Sequence, residues 1–176
     1  MKKLITMAAM LFILAGTVFA NGLESKNAIG MYILGSSEAV GGIQYERRFS
    51  DLVSTKFGVY AMYNDKDDWS PFDCNFTVET DFTLYDTTWN DKISSRLFAY
   101  ALAGYKGGIE YYRENYEEET PKIKRSYNNA VASLGFGFDF IFFDHLSVPV
   151  QFGFLGTFPD TPNVAFCGGI ALRYTW

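Results

Sequence analysis

The stretch Ser133-Leu-Gly-Phe-Gly-Phe-Asp-Phe-Ile-Phe142 carries the clearest structural signal of the chain. Its even-numbered positions hold one Leu and four Phe, whereas Ser, Gly, Gly and Asp occupy the first four odd-numbered positions. A period of two residues places successive side chains on opposite faces of a β-strand. The segment therefore predicts a strand with one bulky apolar face and one face of small or charged residues.

The same period recurs along the rest of the chain after residue 26, and it predicts an all-β protein with eight antiparallel strands. Most of the strands are long enough to cross a membrane, since a tilted spanning strand needs about 9–11 residues. The predicted strands are Ala28–Leu34, Val40–Phe49, Val53–Tyr63, Cys74–Tyr85, Ser95–Tyr112, Tyr127–Phe142, Leu146–Gly156 and Val164–Trp176.

The connections between these strands alternate in length. One set is short at 50–52 and 143–145 and somewhat longer at 86–94, whereas the other is mostly longer and more polar, at 64–73, 113–126 and 157–163. Only the first connection of the second set, 35–39, is short. Short turns at one end and long loops at the other are typical of bacterial outer-membrane barrels. An even strand count then puts both termini on the periplasmic side, with the long loops facing outward.

Residues 1–20 form a separate unit. Two lysines precede an apolar run from Leu4 to Gly16, and the small residues Val18 and Ala20 follow it. This order is typical of a secretory signal peptide, and the apolar run is too short for a spanning helix. We expect cleavage after Ala20, which leaves 21–176 as one barrel domain. The acidic balance, with a formal net charge of −5, argues against nucleic acid as a partner.

Alternation alone does not separate a membrane barrel from a soluble one, in which the apolar face would point inward. A secreted lipocalin-like barrel therefore remains an alternative. The small residues of the polar face suit a narrow lumen, and aromatic residues gather near the strand ends as in interfacial girdles. One predicted girdle contains Phe49, Trp89, Phe142, Phe143, Tyr174 and Trp176, and the other contains Tyr63, Tyr111, Tyr112, Tyr127 and Phe158.

The last predicted strand alternates Ile170, Leu172, Tyr174 and Trp176 and ends on an aromatic residue. It resembles the C-terminal signal that the outer-membrane assembly machinery recognises. The region after residue 20 resembles small eight-stranded barrels of the OmpA, OmpX and OmpW type, and 136–148 resembles their strand–turn–strand units. The resemblance implies an outer-membrane location, with membrane lipid, lipopolysaccharide and the assembly machinery as partners, but it does not imply a function.

The polar face carries charges of both signs. An eight-stranded barrel is only wide enough for side chains to fill, and a buried unpaired charge is costly. We therefore predict a salt-bridged lumen without a continuous pore, although several of these residues could instead face water at the barrel ends. The predicted network contains Glu46, Arg48, Lys56, Glu79, Asp81, Arg96, Lys106, Glu110, Asp139 and Arg173.

The fifth strand complicates this prediction. The parity that turns Arg96 inward also turns Phe98, Tyr100 and Leu102 inward. Either a β-bulge shifts the faces midway along the strand, or part of the lumen is apolar. The first interpretation is favoured. The second would suit a small hydrophobic ligand, as in barrels of the OmpW type.

The sequence indicates no catalytic site, cofactor or metal. Its single histidine, His145, lies in a predicted periplasmic turn, on the wrong side for chemistry on outer-leaflet lipid. The acidic group Asp65, Asp67, Asp68 and Asp73 could attract a divalent cation but lacks the glycine of a calcium loop. Cys74 and Cys167 fall on opposite strands with different parity, which argues against a disulfide.

We expect a non-enzymatic barrel that acts in envelope structure or surface interaction. Host or envelope partners would bind at the loops 64–73 and 113–126, the second of which mixes acidic residues with Lys122, Lys124 and Arg125. The main alternative is a narrow channel or carrier for small hydrophobic solutes. A lipid-modifying enzyme is a further alternative, and it would need His145 as its base.

Overall fold

The computed structural model describes residues 25–35, 39–64, 70–89, 93–112, 122–160 and 162–176. The predicted signal peptide and its cleavage site at Ala20 lie outside these ranges. No helix in the described part of the chain is long and apolar enough to cross a membrane. The strands are β1 Asn27–Gly35, β2 Ala39–Arg48, β3 Val53–Tyr63, β4 Phe72–Trp89, β5 Ile93–Tyr112, β6 Ile123–Phe142, β7 Leu146–Pro159 and β8 Asn163–Thr175.

The eight strands form a closed barrel in which each strand pairs with its sequence neighbour. β8 returns to β1 through an antiparallel ladder from Ala28 opposite Thr175 to Gly35 opposite Gly168. Because the sheet closes on itself, every strand has a paired neighbour on both sides. A β-structure that spans hydrocarbon needs such closure, since no water is present to bond to an open edge. The prediction of an eight-stranded antiparallel barrel is confirmed.

Apolar and polar side chains are divided between the two faces of the sheet as in a membrane barrel. Phe136 on the outer face is 59% exposed, whereas Asp139 on the inner face is 0% exposed. Large apolar side chains cover the outside of every strand, and most buried polar or charged side chains point into the barrel. The alternative of a soluble lipocalin-like barrel is therefore wrong, because its apolar face would point inward.

A tight turn joins β6 to β7 at the end of the barrel that also holds both ends of the described chain, which is the predicted periplasmic end. Phe143 and Asp144 have φ angles of 53° and 64°, and His145 N donates to Phe142 O at 3.1 Å. Two consecutive positive φ angles are characteristic of a type I′ turn, whose twist matches that of antiparallel strands. The connection is the predicted segment 143–145, and its first two residues form the turn.

The register shift lies in β4 and not in β5. Pairing between β4 and β5 shifts between Thr83 and Tyr85, whereas β5 pairs with β6 without interruption from Ile93 to Tyr112. The favoured prediction of a bulge in the fifth strand is wrong, and Phe98, Tyr100 and Leu102 all face the lumen. The bulge resets the parity of β4, which continues to Trp89 rather than ending at Tyr85.

Candidate functional site

The periplasmic half of the lumen contains a continuous network of ion pairs. Lys56 Nζ lies 2.6 Å from Glu79 Oε1 and 2.7 Å from Asp81 Oδ2. Lys56 faces Glu46 on β2 and Glu79 on β4 in the ladder, so the strand register places a cation between two carboxylates. All four side chains are at most 1% exposed.

Two arginines extend this network across the barrel. Arg96 Nη2 lies 3.1 Å from Glu46 Oε1 and 3.2 Å from Asp139 Oδ2. Arg173 contacts the same two acids, with Nη1 at 2.6 Å from Glu46 Oε2 and Nη2 at 3.1 Å from Asp139 Oδ2. Arg48 completes the set at 3.5 Å from Glu46 and 3.8 Å from Asp139. We call these eight residues the charged layer.

Neutral side chains add hydrogen bonds to two acids of the charged layer. On β7, Ser147 donates to Asp139 Oδ1 and Gln151 donates to Glu79 Oε1, both at 2.6 Å. The layer holds four acids and four bases, so its formal charge is balanced. Such mutual pairing offsets part of the cost of removing charges from water.

Two members of the predicted network lie elsewhere. Glu110 pairs with Arg125 at 3.7 Å near the outer end, where both side chains are more than a third exposed. Lys106 lies in the outer half of the barrel between Asn75 and Asn129 in the ladder, apart from the charged layer. Both residues have inward parity, but the strands carry them far along the barrel axis from the other charges.

An apolar layer lies directly outward of the charged layer. The Phe98 ring centre lies 4.6 Å from Lys56 Nζ and 5.3 Å from Arg96 Cζ, so the ring covers two cations. Stacking a cation on an aromatic face stabilises both groups. The buried apolar cluster comprises Tyr32, Leu34, Val40, Phe98, Tyr100, Leu102, Val131, Leu155, Cys167 and Ala171.

Two tyrosine side chains extend along the inside of the wall, and each reaches the third strand after its own. The Tyr32 hydroxyl on β1 lies 2.5 Å from Thr77 Oγ1 on β4. The Tyr100 hydroxyl on β5 lies 3.2 Å from Ser133 Oγ and 4.0 Å from Cys167 Sγ on β8. The two halves of the barrel thus repeat one arrangement, in which a tyrosine reaches the third strand beyond its own.

Glycines make room for these rings. A Cβ added to Gly58 would lie 2.3 Å from the Tyr32 hydroxyl, and one on Gly153 would lie 2.6 Å from that of Tyr100. A Cβ on Gly137 would lie 2.4 Å from the end of the Phe98 ring. The sequence-based prediction missed this packing. The detectable signal was the inward parity of aromatic residues on β5 together with inward glycines on β6 and β7.

At the periplasmic end, a pocket of about 90 Å³ reaches the underside of the charged layer. Its walls combine the β2–β3 turn with the extension of β4 beyond the bulge. The pocket is lined by Ser25, Lys26, Arg48, Phe49, Ser50, Asp51, Asp86 and Arg96.

The remaining candidate groups have ordinary structural contacts where the structure describes them. His145 Nδ1 lies 3.2 Å from the Thr175 carbonyl oxygen, and its ring stacks on Tyr174. Within the described ranges, no group of three or more His, Cys, Asp or Glu gathers to hold a metal ion. Asp65, Asp67 and Asp68 lie outside these ranges, and Asp73 accepts a hydrogen bond from Tyr127. Cys74 and Cys167 are free thiols.

The residues of the predicted assembly signal lie on the outer face of β8 and just beyond it. Ile170 and Leu172 are more than half exposed, and Tyr174 stacks against Trp176 with ring centres 6.1 Å apart. The Trp176 backbone exchanges two hydrogen bonds with Asn27, at 2.9 and 3.0 Å. Backbone hydrogen bonds therefore join Trp176 to the start of β1.

Several solved structures share this fold. The N-terminal β-barrel domain of OprF from Pseudomonas aeruginosa matches with a TM-score of 0.52 and 8% identity, over 86% of this chain and 98% of that one. The outer-membrane protein OprH from P. aeruginosa matches with a TM-score of 0.57 and 12% identity, over 86% of this chain and 100% of that one. No protein-family model and no curated protein matches the sequence.

These likenesses show the fold of small outer-membrane barrels, and the predicted resemblance is confirmed at that level. The apolar outer face agrees with them, because in water it would expose large aromatic side chains around the whole circumference. The predicted location in the outer membrane is thus supported by fold and surface together.

Proposed function

We propose that this protein is a plugged outer-membrane barrel that acts in envelope structure or surface interaction rather than as an open pore. The observation that carries the proposal is that two adjacent layers of side chains, one charged and one apolar, fill the lumen. Eight mutually paired charges block the periplasmic half, and the rings of Phe98 and Tyr100 fill the next section. A small barrel filled in this way serves as a rigid support for its outer loops.

Ion conductance in planar lipid bilayers tests the plug. We expect the refolded protein to give no steady open channel, whereas the Arg96→Ala/Asp139→Ala/Phe98→Ala/Tyr100→Ala variant, which shortens side chains in both layers, should conduct if it folds. Circular dichroism and resistance to protease confirm folding before each recording. A steady open channel in the unaltered protein would overturn the proposal.

A second candidate function is a carrier for small hydrophobic solutes, and the inward direction of Phe98, Tyr100 and Leu102 favours it. An apolar section of lumen can accept an apolar solute only if the side chains that fill it move aside. Uptake of a fluorescent hydrophobic solute into vesicles separates the two functions. Saturable uptake without ion conductance would support the carrier and contradict the plugged support.

The proposed contact region for envelope components includes the cationic group Lys122, Lys124 and Arg125 at the outer end of β6. Arg125 also donates to the Asp160 carbonyl oxygen at 2.9 Å, which ties this strand end to the segment after β7. Cations beside the outer leaflet favour phosphate groups such as those of lipopolysaccharide. Binding to vesicles with and without lipopolysaccharide, compared with a Lys122→Gln/Lys124→Gln variant, tests this partner.

We also propose the order of events that brings the chain to the membrane. The segment 1–20 directs export and is removed after Ala20, and the assembly machinery then recognises Ile170, Leu172, Tyr174 and Trp176. Support comes from the residue pattern and from the position of Ile170, Leu172 and Tyr174 on the last strand, with Trp176 just beyond it. N-terminal sequencing of the protein recovered from outer membranes tests the cleavage site.

A further inference from the structure

Within the described residues, two neighbouring strands continue side by side without pairing near the outer rim. The ladder between β2 and β3 stops at Ile43 opposite Val59. Both strands nevertheless continue to the rim, because β2 pairs with β1 up to Ala39 and β3 pairs with β4 up to Tyr63. Residues 39–42 and 60–63 therefore border a gap without cross-strand pairs, which we call the rim notch.

Gly42 marks the point where the two strands part. Its φ of 126° belongs to a region that only glycine occupies without strain. A Cβ there would lie 2.3 Å from the Val59 carbonyl oxygen, so the strands are in close contact at this level. One residue nearer the rim, the three atoms nearest to an added Cβ on Gly41 all belong to β1.

The rim notch lies between two apolar regions. On the outer surface it adjoins Ile33, Ile43 and Val59, each of which is more than half exposed. Behind it, Leu34 and Val40 belong to the apolar layer and are at most 1% exposed. On the β3 edge, the Tyr60 hydroxyl donates to Met62 Sδ at 3.3 Å.

We propose that the rim notch is a docking site for one acyl chain of an outer-leaflet lipid. The exposed apolar residues beside the notch lie in the hydrocarbon belt of the barrel, so a lipid chain already adjoins the opening. Strand edges without ladder partners are unfavourable in a membrane, and ester, amide or hydroxyl groups near the lipid headgroup can bond to them. The acyl chain would therefore lie against the apolar residues, and the polar groups of the same lipid would bond to the strand edges.

Photochemical labelling of the unaltered protein tests this site. The barrel is reconstituted in phospholipid vesicles that contain a phospholipid with a photoreactive group at mid-chain, and adducts are mapped by mass spectrometry. We expect adducts on outward-facing residues and also on the inward-facing Val40 and Tyr60. Leu155 should remain unlabelled, because it is also buried but lies in a wall that is paired on both sides. Absence of adducts on Val40 and Tyr60, or equal labelling of Leu155, would overturn the proposal.

A second measurement uses small substitutions that preserve the fold. Val40→Cys and Leu155→Cys are introduced separately in a Cys74→Ser/Cys167→Ser background and treated with a lipid-soluble maleimide in vesicles. We expect Val40→Cys to react about tenfold faster, since local opening controls access to a buried thiol. Equal rates, or equally fast reaction of Val40→Cys with a charged water-soluble maleimide, would contradict entry from the lipid.

Discussion

The ammonium nitrogen of Lys56 lies 4.6 Å from the centre of the Phe98 ring, and this contact joins the charged layer to the apolar layer. Lys56 also pairs with Glu79 and Asp81 below the ring. One side chain therefore links the electrostatic and the aromatic parts of the plug. The energetic consequences of this arrangement can be tested at single residues.

The first prediction concerns Lys56 itself. Lys56→Met should lower the free energy of unfolding by roughly 3–5 kcal/mol, because it leaves two buried carboxylates without their nearest cation. The triple variant Lys56→Met/Glu79→Gln/Asp81→Asn should recover much of this loss. Urea-induced unfolding in vesicles measures both. Lys124→Met at the exposed end of β6 is the matched control, and an equal loss there would contradict the central position of Lys56.

The second prediction compares two glycines. Gly137→Ala should cost about 1–3 kcal/mol, because the new methyl group overlaps the Phe98 ring in a filled lumen. Gly168→Ala should change stability by no more than about 0.5 kcal/mol, since a Cβ there meets no atom within 4 Å. A double-mutant cycle with Phe98→Ala isolates the contact. Additive effects of Gly137→Ala and Phe98→Ala would show that the ring does not rest on Gly137.

The third prediction concerns the hydrogen bond between Tyr32 and Thr77. Tyr32→Phe should destabilise the barrel by about 1–3 kcal/mol, because it leaves the buried Thr77 hydroxyl without this partner. Tyr105→Phe is the control, since the Tyr105 hydroxyl donates to Asn128 at an exposed position. Chemical denaturation of both variants provides the comparison. A larger loss for Tyr105→Phe would be inconsistent with a structural role for the lumenal bond.

The fourth prediction tests the position of the membrane. Phe136→Lys on the outer face should destabilise the folded barrel by about 2–4 kcal/mol, as expected for a cation near the middle of the hydrocarbon. Phe143→Lys in the periplasmic turn should cost only about 0–1 kcal/mol. Unfolding of both variants in vesicles of one lipid measures the difference. Equal destabilisation by the two substitutions would argue against a hydrocarbon belt centred on the strands.

The fifth prediction separates assembly from stability. Trp176→Ala should reduce the amount of barrel recovered from outer membranes, while the unfolding midpoint of the refolded protein changes little. Trp89→Ala is the matched control, because Trp89 is another exposed aromatic residue at the turn end of the barrel. Membrane fractionation and denaturant unfolding supply the two readouts. Equal yields of the two variants would remove the basis for an assembly signal at Trp176.

Much of the architecture could be predicted because a β-strand has a strict period of two. Along β6, alternation from Ser133 to Phe142 predicted both the strand and the direction of each side chain. The end of β4 was less predictable. The bulge between Thr83 and Tyr85 inserts one residue, so the alternation changes phase and the continuation to Trp89 was not recognised.

The inward direction of the charged residues followed from parity, but their partners did not. Arg173 on β8 contacts Glu46 on β2, 127 positions away in sequence, only because the barrel is closed. Conversely, Glu110 has the same parity as Arg96, yet its height along β5 places it beside Arg125. Sequence spacing reports the face of a side chain and says little about its depth in the lumen.

The amino-acid sequence by itself determined the eight strands, their apolar and polar faces and the alternation of short and long connections, because these depend on local periodicity and turn composition. Only the tertiary structure decided that β8 closes on β1, that the lumen divides into a charged and an apolar layer, and that the wall lacks pairing at the rim notch. These features depend on strand register and ring closure, which bring together residues that no local pattern relates.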